Sequence, residues 1–419
     1  MADVTLHPGG LSGVLQAPPS KSAAHRAIIC AALAAGESEI SPVDTSQDME
    51  ATLACMAALG AGWEREGDLI RVTGLSGAPH ETPVLDCRES GSTLRFVMPL
   101  ALALSGGGTF LTKGRLKERP LGPYEALFSK QGIRFERTES GFLVQGPLSP
   151  GEFTLPGNVS SQFVTGLLLS LPLLNGDSLL RLTGPLESEG YVQLTLDVLA
   201  DFGVTVRRPD PMTFPVPGGQ SFCPRRYQVE GDYSQAAVFL CAGALGSDIG
   251  IKGLHPHSLQ GDRAVIGLLQ SMGAGFVKAG DTVFMRPEKL RGIRLDGGQI
   301  PDILPMLALT LCLAEGESRI ENAGRLRLKE CDRLAATVEE LSKLGADIRA
   351  EGDSLFIRGV PRLLGGAAVD SHNDHRMAMM LSIAALHCVK PVRLTDPACV
   401  AKSWPGYWEA YQGLGGKIA

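Results

Sequence analysis

Nine consecutive residues, Arg325-Leu326-Arg327-Leu328-Lys329-Glu330-Cys331-Asp332-Arg333, hold four cations and two carboxylates. Behind them Leu334, Val338, Leu341 and Leu344 recur at helical spacing. Asp332 stands where an N-cap would, and Arg333 falls in the first turn. A helix N-terminus already carries partial positive charge and unpaired N–H groups. Cations crowded onto it make sense if an anion fills the space between them. A solvated loop with an ordinary aspartate cap is the plain alternative.

Other polar clusters open apolar runs. Lys21, Ser22 and Arg26 follow Pro18-Pro19-Ser20, and could cradle a phosphate or carboxylate or simply cap a helix. Ser160-Ser161-Gln162 form a neutral, donor-rich edge suited to a phosphate or a polyol. Asp302 lies in an apolar helix opening, Ile300-Pro301-Asp302-Ile303-Leu304, where cations and burial would set its pKa as a general base. Asn373-Asp374-His375-Arg376 open a solidly apolar helix, the hardest of these segments to explain structurally. No second His or Cys stands at ligand spacing, so this is not read as a metal site. Arg119 and Lys402 are weak signals alone.

The elements that must position these groups repeat. Leu59-Gly60-Ala61-Gly62, Met272-Gly273-Ala274-Gly275 and Leu344-Gly345-Ala346-Asp347 each end a helix, then run through a strand, a Gly-Asp turn and a second strand. Looser copies are expected from Gln131-Gly132 and Phe202-Gly203. Between them lie apolar helices starting near Ser22, Ser92, Ser160, Ser234, Pro301 and Asp374, a period of about 65–75 residues, longer than common solenoid repeats. The unit reads apolar helix, strand, loop, amphipathic helix, hairpin. The sixth copy is one strand short, and residues 2–18 read as strand, Gly-Gly turn, strand. The N-terminal segment is therefore expected to complete the C-terminal unit. That gives two domains of three units, 20–228 and 229–419 with 1–19. The apolar helices must be buried, and arginines in their first turns are expected to need anionic partners.

Composition narrows the function. The chain has 419 residues, 44% hydrophobic and 20% charged, with net charge −6. That is a soluble balance which argues against general nucleic-acid binding, so any cationic site is local. Nine cysteines lie without C-x-x-C pairing, as in a reduced, cytoplasmic protein. No signal peptide or membrane-spanning run is read.

Taken together, these segments closely resemble the 5-enolpyruvylshikimate-3-phosphate synthase family, in order and over essentially the whole chain. Asn373-Asp374-His375-Arg376-Met377-Ala378 and Lys329-Glu330-Cys331-Asp332-Arg333 carry the resemblance most specifically. The resemblance implies an α/β (α+β) fold, a two-domain inverse α/β barrel with three βαβαββ units per domain. It implies transfer of the enolpyruvyl group of phosphoenolpyruvate to the 5-hydroxyl of shikimate 3-phosphate, with release of phosphate. This is a step of aromatic amino acid biosynthesis and a target of glyphosate. Lys21, Ser22, Arg26, Ser160, Ser161, Gln162, Ser188, Asp302 and Lys329 match the shikimate 3-phosphate positions. Lys21, Gly91, Arg119, Gln162, Arg333, Arg376 and Lys402 match the phosphoenolpyruvate positions. Asp302 matches the proton acceptor for the 5-hydroxyl, and Glu330, with Lys329, the handling of the methylene proton; Lys21 completes the catalytic set. No metal and no organic cofactor are implied, and no nucleic-acid or membrane partner; a cytoplasmic monomer is expected. Two anionic substrates held together explain why cations outnumber carboxylates at these positions.

Two departures stand out. Arg88-Glu89-Ser90-Gly91-Ser92 replaces the common Gly-Asn-Ala-Gly-Thr, which puts a carboxylate beside a phosphoenolpyruvate position. Arg325 stands where many members have Asn. The sister transferase acting on UDP-N-acetylglucosamine usually has Lys-Asn at Lys21-Ser22 and a reactive cysteine at Gly114. A non-catalytic anion-binding repeat protein would be expected to lose Asp302 or Glu330 first, and both are present.

The matched residues are split between the two expected domains, joined by two crossovers near Pro18 and Glu230. Cations on both sides repel without ligand, and a bridging dianion reverses that sign. Small-angle scattering should show a smaller radius of gyration once shikimate 3-phosphate, or shikimate 3-phosphate with glyphosate, is bound. An unchanged radius at calorimetrically confirmed saturation excludes large closure.

Overall fold

The structure, a computed structural model, describes residues 3–75 and 82–419. Residues 1–2, at the edge of the expected N-terminal strand segment, lie outside it, as do 76–81. The chain divides into two compact units, Pro19–Val229 and Met1–Pro18 with Glu230–Ala419. The first carries helices α1 (Lys21–Leu33), α2 (Gln47–Ala58), α3 (Gly91–Ser105), α4 (Gly122–Lys130), α5 (Ser161–Ser170) and α6 (Glu189–Asp201). The second carries α7 (Tyr233–Ala244), α8 (Ala264–Ser271), α9 (Leu304–Cys312), α10 (Arg333–Lys343), α11 (His375–Leu386) and α12 (Tyr407–Gly413).

Odd-numbered helices are the apolar ones, and each starts about 70 residues after the last. They are buried over nearly their full length; in α11 every residue from His375 to Leu386 is buried. Even-numbered helices bury one face only: α10 buries Leu334, Thr337 and Leu341 beside Arg333 and turns Glu339 outward. One sheet accompanies most repeats. In the first unit, Glu37–Ser41 and the hairpin Gly62–Glu66/Leu69–Thr73 are joined by Arg226–Gln228, which pairs in parallel with Glu37–Ser41. The strand that completes the first repeat thus comes from the far end of its own unit.

The second unit is closed the same way. Ser12–Gln16 pairs in parallel with Asp248–Lys252, while Val4–Leu6 pairs antiparallel with Val392–Thr395. Thr5 also exchanges backbone bonds with Ala419 at 2.8 and 2.9 Å. The two N-terminal strands therefore serve two different sheets.

Two expectations need correction. No hairpin follows Phe202-Gly203: residues 204–208 lie outside any strand, and Thr213–Val216 joins a three-stranded sheet with Ser178–Leu182 and Glu152–Leu155. Pro209, Pro211, Pro215 and Pro217 remove the donors a regular ladder would use. The segment Pro301–Ile303 is a turn rather than helix, and α9 begins at Leu304. Pro305, near its N-terminus, tolerates only the first helical turn.

In α3 a proline is accommodated by a specific partner. Pro99 has no N–H to donate to the carbonyl of Arg95. The Tyr124 hydroxyl donates to that carbonyl at 2.8 Å, and is also 3.0 Å from the Phe163 carbonyl. Gly166 of α5 admits this contact: a Cβ there would lie 2.2 Å from Tyr124 Oη and 2.3 Å from the Arg95 carbonyl oxygen. Gly166→Ala should therefore destabilise the protein by about 1–3 kcal/mol through overpacking. Gly267→Ala, in α8 with open space around it, should instead stabilise by about 0.4–1 kcal/mol. Urea unfolding of both variants checks the contrast in sign.

Candidate active site

In the unit Pro19–Val229, polar residues gather at the N-termini of α1, α3 and α5. Ser20 caps α1 by accepting the Ala23 N–H at 3.3 Å. Lys21, in its first turn, is paired with Asp48 of α2 at 2.6 Å. Arg26 is buried at 3% exposure and lies over the Phe96 ring. Its N–H groups go to Thr195 Oγ1 (2.8 Å), Thr165 Oγ1 (3.3 Å) and the carbonyls of Ser22 (2.6 Å) and Tyr191 (3.0 Å). These acceptors are all neutral. Burial without a carboxylate pulls its pKa down to about 10, against the Tyr191, Tyr227 and Cys30 interactions that raise it.

Ser90 caps α3, accepting from Thr93 N–H at 3.2 Å. The next residue, Gly91, lies under two guanidiniums: a Cβ would be 2.7 Å from Arg119 Nη1 and 2.9 Å from Arg95 Nη1. Any side chain there would displace a cation. Arg95 donates to Gln162 Oε1 at 2.7 Å, and Gln162 donates to Ser92 Oγ at 2.9 Å, which ties α3 to α5. Ser160 caps α5 through the Gln162 N–H, and Ser161 is buried behind it. Ser188 precedes α6 with φ of 55° and is buried.

The second unit holds a denser cluster. Arg333, at 1% side-chain exposure, meets three carboxylates. Asp374 takes it in a fork, at 2.7 Å from Nε and 3.1 Å from Nη2. Asp302 accepts from Nη1 at 2.9 Å and Glu330 from Nη2 at 2.7 Å. Lys329 adds a second cation to Asp302 at 2.8 Å. Asp374 also caps α11 at the Arg376 N–H, 2.8 Å away. Arg376 reaches the Ser234 carbonyl at 2.8 Å, and Lys402 the Asn373 carbonyl at 2.7 Å.

Electrostatics follow from this packing. Burial by itself would raise the Asp302 carboxyl, but Lys329, Arg333 and Arg376 together hold it well below the usual carboxylate range. Burial, then Arg333 and Arg325, lower Lys329 against the pull of Asp302. Burial opposes the charge on Arg333, yet Asp374, Glu330 and Asp302 lift it well above the ordinary guanidinium value. A cavity of about 940 Å³ in the same unit, lined by Tyr233, Leu254, Arg263, Ile266, Phe276 and Lys278, is not formed by these charged residues.

Residues 6–411 match the sequence profile described as EPSP synthase (3-phosphoshikimate 1-carboxyvinyltransferase). The 3-phosphoshikimate 1-carboxyvinyltransferase of Clostridioides difficile is 44% identical over 430 residues, covering 100% of this chain and 98% of that protein. Its counterpart from Clostridium perfringens is 46% identical over 422 residues, covering 99% of each. The chain belongs to the EPSP synthase family. Its activity is that of a 3-phosphoshikimate 1-carboxyvinyltransferase, a transferase of the shikimate pathway. The fold agrees. An EPSP synthase from Acinetobacter baumannii superposes with a TM-score of 0.81 at 24% identity, over 100% of this chain and 99% of that one. The enolpyruvyl transferase NikO from Streptomyces tendae gives 0.81 at 20% identity, over 100% and 98%.

Within this EPSP synthase the expected residues fall into two sets. Gly91, Arg119 and Gln162 come together, as do Asp302, Glu330, Lys329 and Arg333. The protein partners of Arg26 are hydroxyls and carbonyls, so an anionic partner for it would have to be a ligand. Arg95, one of the cations the resemblance places at site positions, shares Gly91 with Arg119. Two groups carried no site role in the sequence: Asp374 is the fork that seats Arg333, and Asp48 holds Lys21. The Asp374 role was foreshadowed by its place in the Asn373–Arg376 motif; nothing local marks Asp48. The unusual Glu89 also finds a place: a Cβ on Gly114, which has φ of 54°, would lie 2.6 Å from Glu89 Oε2. A cysteine at 114 would therefore have to push the Glu89 carboxylate aside and would adopt a left-handed backbone.

Behind α1 lies a buried hydroxyl chain. His25 Nδ1 meets Thr52 Oγ1 at 2.7 Å, Thr52 meets Thr93 Oγ1 at 2.8 Å, and Thr93 reaches Ser90 Oγ at 2.7 Å. Burial, then Lys21 and Arg26, push the His25 pKa well below 6.5, so the folded protein keeps the imidazole neutral. The unfolded chain protonates near pH 6.5 while the folded one does not. His25 thus contributes fully above that pH, and its contribution is lost as pH falls below it, by about 1.4 kcal/mol per pH unit. Urea unfolding between pH 7 and 5, for the protein and His25→Gln, should show about that difference in slope.

Proposed function

We propose that the residues of the first unit, Lys21, Ser22, Arg26, Ser160, Ser161, Gln162 and Ser188, serve shikimate 3-phosphate, with Asp302 and Lys329 completing that set. Arg333, Arg376 and Lys402, with Lys21, Gly91, Arg119 and Gln162, serve phosphoenolpyruvate. The substrate 5-hydroxyl attacks the substituted carbon of the enol, Asp302 takes the hydroxyl proton, and Glu330 with Lys329 delivers a proton to the methylene carbon, making it a methyl group. The same pair then takes a proton back from that methyl as the C–O bond to phosphate breaks and the vinyl double bond re-forms.

The observation that carries this reading is the shared guanidinium of Arg333, with Asp302 on one terminal nitrogen and Glu330 on the other. Two carboxylates on one cation bring two proton acceptors to one centre, and the Lys329 ammonium on Asp302 adds a proton donor. An aspartate paired with Lys329 and Arg333 is ionised but weakly basic. Substrate anions that draw on the same cations weaken their hold on Asp302 and raise its proton affinity when a proton must be accepted. The pair is reachable from solvent: the Asp302 side chain is 30% exposed and that of Lys329 17%.

A reducing, cytoplasmic setting suits the chain. All nine cysteines are unpaired, and Cys223 alone is exposed. Among the described residues no helix is long and apolar enough to cross a membrane.

Asp302→Ala should lower kcat by about 10²–10⁴-fold, the range of general-base catalysis, with shikimate 3-phosphate binding retained or tightened. Steady-state kinetics with calorimetric binding decide it. A near-normal kcat with raised KM would make Asp302 a binding group only.

A further inference from the structure

Glu340 lies seven residues after Arg333 on α10, so the two side chains leave the same face of the helix. Both are buried, at 0% and 1% side-chain exposure. Arg333 grips the start of α11 through Asp374. Glu340 grips the end of the preceding strand: Oε2 accepts the Asp370 N–H at 3.0 Å, and Oε1 meets His372 Nε2 at 2.8 Å. Between these two holds lie His372 and Asn373, both with φ of 53°. Among the described residues they are the one consecutive non-glycine pair in the left-handed region. Side chains disfavour that region, so a pair of such residues persists only where the surroundings hold it.

The corner they form feeds the charged cluster directly. The Asn373 carbonyl accepts Lys402 Nζ, and Asp374 caps Arg376 and forks Arg333. Further ties come from the His372 N–H to Asp370 Oδ1 at 2.7 Å and from Ser371 Oγ to the Asp396 carbonyl at 3.1 Å. Glu339, Glu340 and His372 also stand close enough together to hold a metal ion. The Lys343 ammonium already fills that role, at 2.9 Å from Glu339 and 2.8 Å from Glu340. The cation of this cluster is a side chain.

We infer that Glu340 and His372 are positioning residues, which clamp the left-handed corner at 372–373 and thereby aim Arg376 and Lys402 at phosphoenolpyruvate. The inference rests on the assignment of those two cations to that substrate. Neither Glu340 nor His372 needs to touch a ligand. Their effect should fall mainly on one substrate, because the corner holds Lys402 and Arg376 directly and reaches Asp302 only through Asp374 and Arg333.

The test uses His372→Gly and His372→Gln in the full chain. Glycine accepts the positive φ, so it removes the imidazole clamp while relieving the backbone. His372→Gly should raise the KM for phosphoenolpyruvate about 10- to 100-fold, the scale of an ångström-level misplacement. The KM for shikimate 3-phosphate should stay within about twofold and the melting temperature should not fall. His372→Gln, whose amide can still reach Glu340, should restore most of the loss. Unchanged KM for phosphoenolpyruvate, or an equal rise for both substrates, overturns the inference. If His372→Gly does not fold, Glu340→Gln is read by the same criteria. Lys402→Ala is measured in parallel: no rise in its phosphoenolpyruvate KM would sink the subsite assignment itself, independently of the clamp.

Discussion

A guanidinium taken out of water is costly unless acceptors go with it, and anions offset that cost most fully. Arg333 does this with Asp374, Glu330 and Asp302, and the second unit is arranged around the requirement. Asp374 must cap α11, Asp302 must sit in the turn before α9, and Glu330 must precede α10. One side chain therefore ties its own segment to two others, 31 and 41 residues away in sequence. Removing one partner of such a group typically costs roughly 3–5 kcal/mol, because the remaining charge is left uncompensated. The same cluster is chemically useful, since its cations hold the Asp302 carboxyl well below the usual carboxylate range and its carboxylates lift Arg333 well above the ordinary guanidinium value.

The first unit solves a similar problem differently. Arg26 is as thoroughly buried, but its neighbours are threonine hydroxyls and helix carbonyls. Neutral acceptors satisfy its geometry while leaving its charge uncancelled, which is why its pKa falls rather than rises. A buried cation with unspent charge favours a nearby anion more than a salt-bridged one does. Gly91 shows the steric side of the same design. With no side chain, it lets Arg95 and Arg119 close over the N-terminus of α3, where a helix already presents N–H groups.

The cluster also limits what catalysis can ask of Asp302. An aspartate paired with Lys329 and Arg333 begins with low proton affinity, and substrate charge must loosen that pairing before it accepts a proton. Binding and basicity are thereby linked through shared cations. That linkage uses charge already present and needs no change of protonation before substrate arrives.

Much of this protein was legible in its order of residues. Apolar runs with polar openings specify buried helices with capped ends, since no other element hides such a run, and their even spacing exposed the repeat. The Lys329–Arg333 and Asn373–Arg376 motifs marked the charged cluster because so many ionisable groups beside apolar helices demand partners. What pairs with what was decided only by tertiary structure. Local sequence does not say that Asp48 receives Lys21, that Tyr124 answers the carbonyl left by Pro99, or that Glu89 fills the space over Gly114, because each contact joins segments brought together by packing. The third repeat lost its expected hairpin for a reason visible in its prolines, which outweighed the repeat pattern. For Arg26 the sequence shows that a cation is buried but not which protein oxygens surround it. Periodicity sets which face of an element is hidden, and only the packed fold sets what that face meets.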